Sequence, residues 1–262
     1  MKILPYLIVA ILALSGTAEA KIVMKTVEYR QGSTILEGFL AYDETITGKR
    51  PGVLLVHEWT GLGTYVRKRA EQLAQLGYVA FAADIYGKGV RPKAPEEAGK
   101  VAGKYRSDRT LLRARAQAGL NELRRQPFVD PARVAAIGYC FGGTTVLELA
   151  RSGADLRGVV SFHGGLDTPN PAEGKNINAM VLVLHGADDP HVPLQQVAAF
   201  QQEMRTGAVD WQMVSYGSAV HSFTNPDSGS DPSTGVAYNE KADRRSWEAM
   251  KTFFSEIFSA KR

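Results

Sequence analysis

The chain has 262 residues, 44% of them hydrophobic and 22% charged, with 31 Lys and Arg against 27 Asp and Glu for a formal net charge of +4. That balance excludes a disordered, collagen-like or coiled-coil chain, because it supplies ample apolar material for one large core. A surplus of four positive charges, with no dense Lys/Arg tract, also argues against nucleic acid as a partner.

Met1 to Ala20 begins with Lys2, continues through the apolar run Ile3 to Leu14 and ends in Ala18-Glu19-Ala20. A charged start, an apolar middle and an A-x-A site are the three parts of a secretory signal peptide. The run is shorter than the ~20 residues a spanning helix needs. The expectation is a cleaved signal over 1–20, export to the periplasm or the cell exterior, no stable membrane insertion after cleavage, and one domain over 21–262. Cys140 is the single cysteine. An internal disulfide is therefore impossible, and a lone thiol in an oxidising compartment calls for either burial or chemistry.

Ile22 to Tyr29 and Thr34 to Ala41 read as a leading β-hairpin around Gln31-Gly32-Ser33. Val53 to Val56 is apolar without alternation, as in a strand covered on both faces. A helix from Tyr65 to Leu76 and a strand from Tyr78 to Ala83 follow. Pro95 to Arg125 reads as helical, with Arg109, Arg113, Arg115, Arg124 and Arg125 on solvated faces. Next come strand Arg133 to Gly138, helix Thr144 to Arg151, and strands Gly158 to Phe162 and Ala179 to Leu184. Pro169 to Asn178 between those two strands is a polar loop. Helix Leu194 to Met204, strand Trp211 to Tyr216 and an amphipathic helix from Ala242 to Phe258 complete the chain. Strands alternating with helices predict a mostly parallel, doubly wound α/β sheet in a single domain.

Ligands on such sheets bind outside the carboxyl ends of the strands. The residues at those ends are His57-Glu58-Trp59, Asp84, Cys140, His163-Gly164-Gly165, His185 to Pro193 and His221. Gly138-Tyr139-Cys140-Phe141-Gly142-Gly143 lies between a strand and a helix. It is the G-x-S-x-G nucleophile elbow with Cys in place of Ser. Gly138 and Gly142 flank the nucleophile because side chains there would collide across a sharp turn. The turn sets the sulfur at a helix N-terminus, which favours a thiolate. It also aims the Phe141 N–H where an acyl oxygen would gain charge. An elbow of this kind calls for a later acid and then a histidine. Asp188 and Asp189 both qualify for the first, and His221 for the second. His185 with Asp188, Asp189 and His191 has no recognised metal-ligand spacing, so no metal and no cofactor are expected. Trp59, Tyr86, Tyr139, Phe141 and Phe223 are either an apolar wall for substrate or simple core.

These motifs together, with Gly77-Tyr78-Val79-Ala80, Asp84-Ile85-Tyr86-Gly87, Asp189-Pro190-His191-Val192-Pro193 and His221-Ser222-Phe223, resemble the dienelactone hydrolase family. The resemblance runs from Pro51 to the last helix. It implies an α/β-hydrolase fold and a Cys140–His221–Asp189 triad that cleaves an ester or lactone, in the manner of a carboxymethylenebutenolidase. By the same resemblance Glu58 holds the resting thiol protonated, and the Trp59 N–H joins that of Phe141 in an oxyanion hole. The family's arginine after the catalytic histidine is absent: Asn225 stands there. A broad ester or lactone hydrolase is therefore expected, with a general carboxylesterase or a non-catalytic binding protein on the same scaffold as alternatives. The expected partner is a small-molecule ester or lactone, and the expected state a monomer.

Overall fold

The computed structural model describes residues 20–259. The expected signal segment lies almost wholly outside the described residues. Among the described residues eight strands form one sheet: β1 (Ile22–Gln31), β2 (Thr34–Asp43), β3 (Arg50–Val56), β4 (Val79–Ala83), β5 (Val129–Tyr139), β6 (Gly158–Phe162), β7 (Met180–Gly186) and β8 (Trp211–Tyr216). Their order is β1-β2-β4-β3-β5-β6-β7-β8. β1 and β2 form the antiparallel leading hairpin, β2 meets β4 antiparallel, and every later pairing is parallel.

Among the described residues six α-helices cover the sheet: α1 (Thr64–Gln75), α2 (Pro95–Ser107), α3 (Arg109–Arg125), α4 (Phe141–Arg151), α5 (Leu194–Thr206) and α6 (Glu240–Ser259). The unalternating run in β3 is used on both faces. Leu54 and Val56 pack with buried residues of α2, α3, α4 and α5, while Val53 and Leu55 pack with those of α1 and α6. All four side chains are fully buried. At about 25 cal/mol per Å² of apolar surface, such burial is the main term holding the layers together.

Three local expectations shift. The stretch from Pro95 to Arg125 is two helices, broken at Asp108, whose carboxylate accepts the Leu111 N–H at 2.9 Å and caps α3. Helix α4 starts at Phe141, a turn earlier than Thr144, because the elbow delivers the chain directly into helical geometry. The polar loop before β7 contains a short 3₁₀ turn, Pro171–Asn176. Among the described residues no helix is long and apolar enough to cross a membrane.

Candidate active site

Cys140 sits between β5 and α4 with φ 54° and ψ −114°, a conformation costly for a non-glycine residue. The flanking glycines are steric necessities. A Cβ on Gly138 would lie 2.0 Å from the Gly142 carbonyl oxygen, and one on Gly142 would lie 2.2 Å from the Val56 carbonyl oxygen. The strained turn lifts the sulfur to the sheet's carboxyl edge, at the N-terminus of α4.

The loop after β8 brings His221 to the same edge. Its Nε2 lies 3.0 Å from Cys140 Sγ, and its Nδ1 lies 2.8 Å from Asp189 Oδ2. The second oxygen of Asp189 accepts the His191 N–H at 2.8 Å, so both carboxylate oxygens are engaged. Asp188 is exposed and offers its backbone N–H to Ala219, which leaves Asp189 as the acid facing His221. Burial opposes a charge on His221. The Cys140 sulfur and the Asp189 carboxylate outweigh it and raise the imidazole to about 10.

His57 governs the other side of the site. Its Nε2 accepts the Ile85 N–H at 3.3 Å, so Nδ1 carries the proton and donates to the Glu58 carbonyl at 2.6 Å. Burial keeps this ring neutral, at about 4. Because C=O and N–H of a trans peptide point in opposite directions, holding the Glu58 carbonyl turns the Trp59 N–H away from it. Among the described residues neither the Trp59 nor the Phe141 N–H has an acceptor within the chain.

Glu58 departs from the expected arrangement. Its carboxylate does not engage the thiol; it accepts from Ser222 Oγ at 2.8 Å and Asn225 Nδ2 at 2.7 Å. Cys140 Sγ has His221 as its hydrogen-bond partner instead. Burial raises the Glu58 carboxyl, and the two donors only partly offset it. Asn225, in the place of an arginine, thus ties Glu58 to the loop that carries His221.

These groups open on a cleft of about 1040 Å³ lined by Glu58, Trp59, Tyr65, Cys140, His191 and His221, among others. The sequence model of the dienelactone hydrolase family matches residues 36–258. This chain belongs to the dienelactone hydrolase family. It is a hydrolase acting on ester or lactone bonds. A dienelactone hydrolase-like promiscuous phosphotriesterase from metagenomic libraries is 44% identical, with a TM-score of 0.87 over 92% of this chain and 100% of that one. A putative carboxymethylenebutenolidase of Synechocystis is 26% identical over 84% of this chain and 91% of its own length. A probable 2-oxo-3-(5-oxofuran-2-ylidene)propanoate lactonase of Bradyrhizobium is 28% identical over 71% of this chain and 79% of its own.

Several flagged residues lie elsewhere in this dienelactone hydrolase-family chain. Asp84 is fully buried and accepts the Glu37, Tyr86 and Gly87 N–H groups, a turn-holding role. Tyr86, Tyr139, Phe141 and Phe223 are core; of the five aromatics only Trp59 lines the cleft. His185 is buried and does not line it. Among the described residues no group of three or more His, Cys, Asp or Glu is placed to hold a metal ion. The arginines of α3 are mostly not on solvated faces. Arg113 pairs with Glu148 at 2.7 Å and with Glu173, Arg109 pairs with Asp167 at 2.6 Å, and Arg115 is buried against Thr34. The sequence reading missed Tyr65, Arg69 and Thr224, which interlock behind His221. Polar residues at i and i+4 on the covered face of α1 were the available signal.

Proposed function

We propose that this hydrolase uses Cys140 as its nucleophile, His221 as general base and then acid, and Asp189 to hold the ring. The observation carrying this reading is the line Asp189 Oδ2–His221 Nδ1 (2.8 Å) and His221 Nε2–Cys140 Sγ (3.0 Å) at the wall of an open cleft. The thiol proton passes to His221 Nε2, and the sulfur attacks the ester or lactone carbonyl. The oxyanion forms against the Phe141 and Trp59 N–H groups, which have no acceptor among the described residues. Collapse expels the alcohol, protonated by His221, and leaves a thioester. Water, deprotonated by His221, then releases the acid and restores the thiol. Asp189 stabilises the imidazolium in both halves.

The expected result with p-nitrophenyl acetate is a burst of nitrophenol equal to enzyme, absent in Cys140→Ala. Turnover retained by Cys140→Ala would overturn the assignment. A second reading follows from the 44% identical promiscuous phosphotriesterase: the same sulfur attacks the phosphorus of a triester, one P–O bond breaks with His221 protonating the departing oxygen, water deprotonated by His221 then cleaves the S–P bond to restore the thiol, and the cleft of about 1040 Å³ gives room for three substituents. Turnover of a p-nitrophenyl dialkyl phosphate, lost in Cys140→Ala, tests it. We also propose that residues 1–20 direct export and are removed; N-terminal sequencing of secreted protein beginning at Lys21 is the expected outcome.

A further inference from the structure

A second histidine touches the nucleophile from behind. The Cys140 backbone N–H is shared between the Phe162 carbonyl at 3.0 Å and His163 Nδ1 at 3.1 Å. Since Nδ1 accepts, the ring proton is on Nε2, which donates to Thr224 Oγ1 at 2.7 Å. Thr224 Oγ1 in turn lies 2.6 Å from Tyr65 Oη, which accepts from Arg69 Nε at 3.1 Å. Arg69 also donates to the Thr224 carbonyl at 2.9 Å and pairs with Asp243 of α6. Thr224 is three residues beyond His221, in the loop whose Ser222 and Asn225 hold Glu58. His163 is therefore the side chain that joins the elbow to the loop bearing the base.

The join is built at a cost. His163 is fully buried and its backbone has φ 39°. Burial, the neighbouring His221 and Arg69 all hold its imidazole well below the usual range. A neutral ring is what the bridge requires, because a protonated Nδ1 could not accept the Cys140 N–H.

We propose that His163 is a positioning residue: by bridging the Cys140 amide and the Thr224 hydroxyl it sets the separation of Cys140 Sγ from His221 Nε2. The proposal rests on Cys140 and His221 acting as the nucleophile–base pair. It goes beyond that reading in assigning their alignment to a residue that touches neither substrate nor sulfur.

The test is a double-mutant cycle. His163→Asn tolerates positive φ and keeps an acceptor at the Nδ1 position but loses the reach to Thr224. Thr224→Val removes the hydroxyl, and Thr224→Ser restores it. Two readouts are followed: kcat and KM for p-nitrophenyl acetate, and the pH profile of Cys140 alkylation by iodoacetamide. Each of His163→Asn and Thr224→Val is expected to lower kcat on the order of 10- to 100-fold with KM little changed, since small misplacements of reacting groups have such effects. Each is also expected to displace the alkylation profile. The double variant is expected to be no worse than either single one, and Thr224→Ser to behave as wild type. Additive losses, or an unchanged alkylation profile in folded single variants, would overturn the proposal. Should His163→Asn not fold, the Thr224 pair carries the same test. Alkylation does not depend on turnover, so profile differences that persist while Cys140→Ala keeps full turnover would overturn Cys140 as the hydrolytic nucleophile and leave the alignment of Cys140 with His221 by His163 standing.

Discussion

Two imidazoles, His163 and His221, stand with ring centroids 5.5 Å apart, and their surroundings drive them in opposite directions. Both are largely shielded from water. His221 is flanked by a carboxylate and a sulfur and is raised to about 10; His163 is flanked by an amide N–H and a hydroxyl and falls well below 6.5. Burial by itself disfavours charge in both rings, so the partners decide the outcome. In the mechanism proposed above, His221 takes and returns a proton. His163 is kept from titrating, so that its hydrogen bonds persist while its neighbour changes state.

The most drastic way to break this contrast is to remove the sulfur. Cys140→Ala is expected to abolish the burst and to reduce turnover on the order of 10³-fold or more, as read by stopped-flow with p-nitrophenyl acetate. Asp189→Asn comes next. It keeps the shape but withdraws a charge that raises His221, so kcat is expected to fall on the order of 10²- to 10⁴-fold. The imidazole midpoint, followed by NMR, is expected to move down from about 10. A midpoint that stays put would mean that the sulfur alone sets it.

Glu58→Gln sharpens the comparison from the side. The amide cannot accept from both Ser222 and Asn225 while Asn225 Oδ1 is held by the Asp227 N–H. Leaving a buried donor unpaired costs about 1–2 kcal/mol, so kcat/KM is expected to fall on the order of 10-fold through a loosened His221 loop. Full activity in this variant would remove Glu58 from the machinery.

The smallest effect concerns stability. His221 titrates at about 10 in the folded protein against 6.5 for an ordinary histidine. A raised folded-state value means that the charged ring stabilises the fold fully below pH 6.5, and that this contribution is lost as pH rises through about 10. Calorimetry between pH 6 and pH 10 is expected to show the melting temperature falling. The fall should be shallower in Cys140→Ala, where the sulfur's contribution is gone.

The order of strands and helices was legible because each rests on local patterning. The unalternating β3 run, the Gln31-Gly32-Ser33 turn and the glycines around Cys140 each act within a few residues. What local patterning could not convey was the pairing of distant charges. Arg113 looked like surface until α4 brought Glu148 against it. Arg151 is fully buried, and only the fold shows its fork meeting Glu203 at 2.7 Å across 52 residues, with Glu148 beside it. The Glu58 contacts were misread for the same reason: its oxygens could have met the thiol, and the loop from Ser222 to Asn225 reached them first.

The sequence by itself determined a doubly wound α/β chain, an elbow centred on Cys140, and an acid and a histidine following in the order such an elbow needs. Steric limits on the backbone and the period of apolar residues are properties of neighbours along the chain. Tertiary structure alone decided that Glu58 is held by Ser222 and Asn225, and that one buried histidine is raised while the other is depressed. Each of those outcomes depends on the field and the hydrogen-bond partners supplied by segments dozens of residues away, and these exist only once the sheet has closed its helices around it.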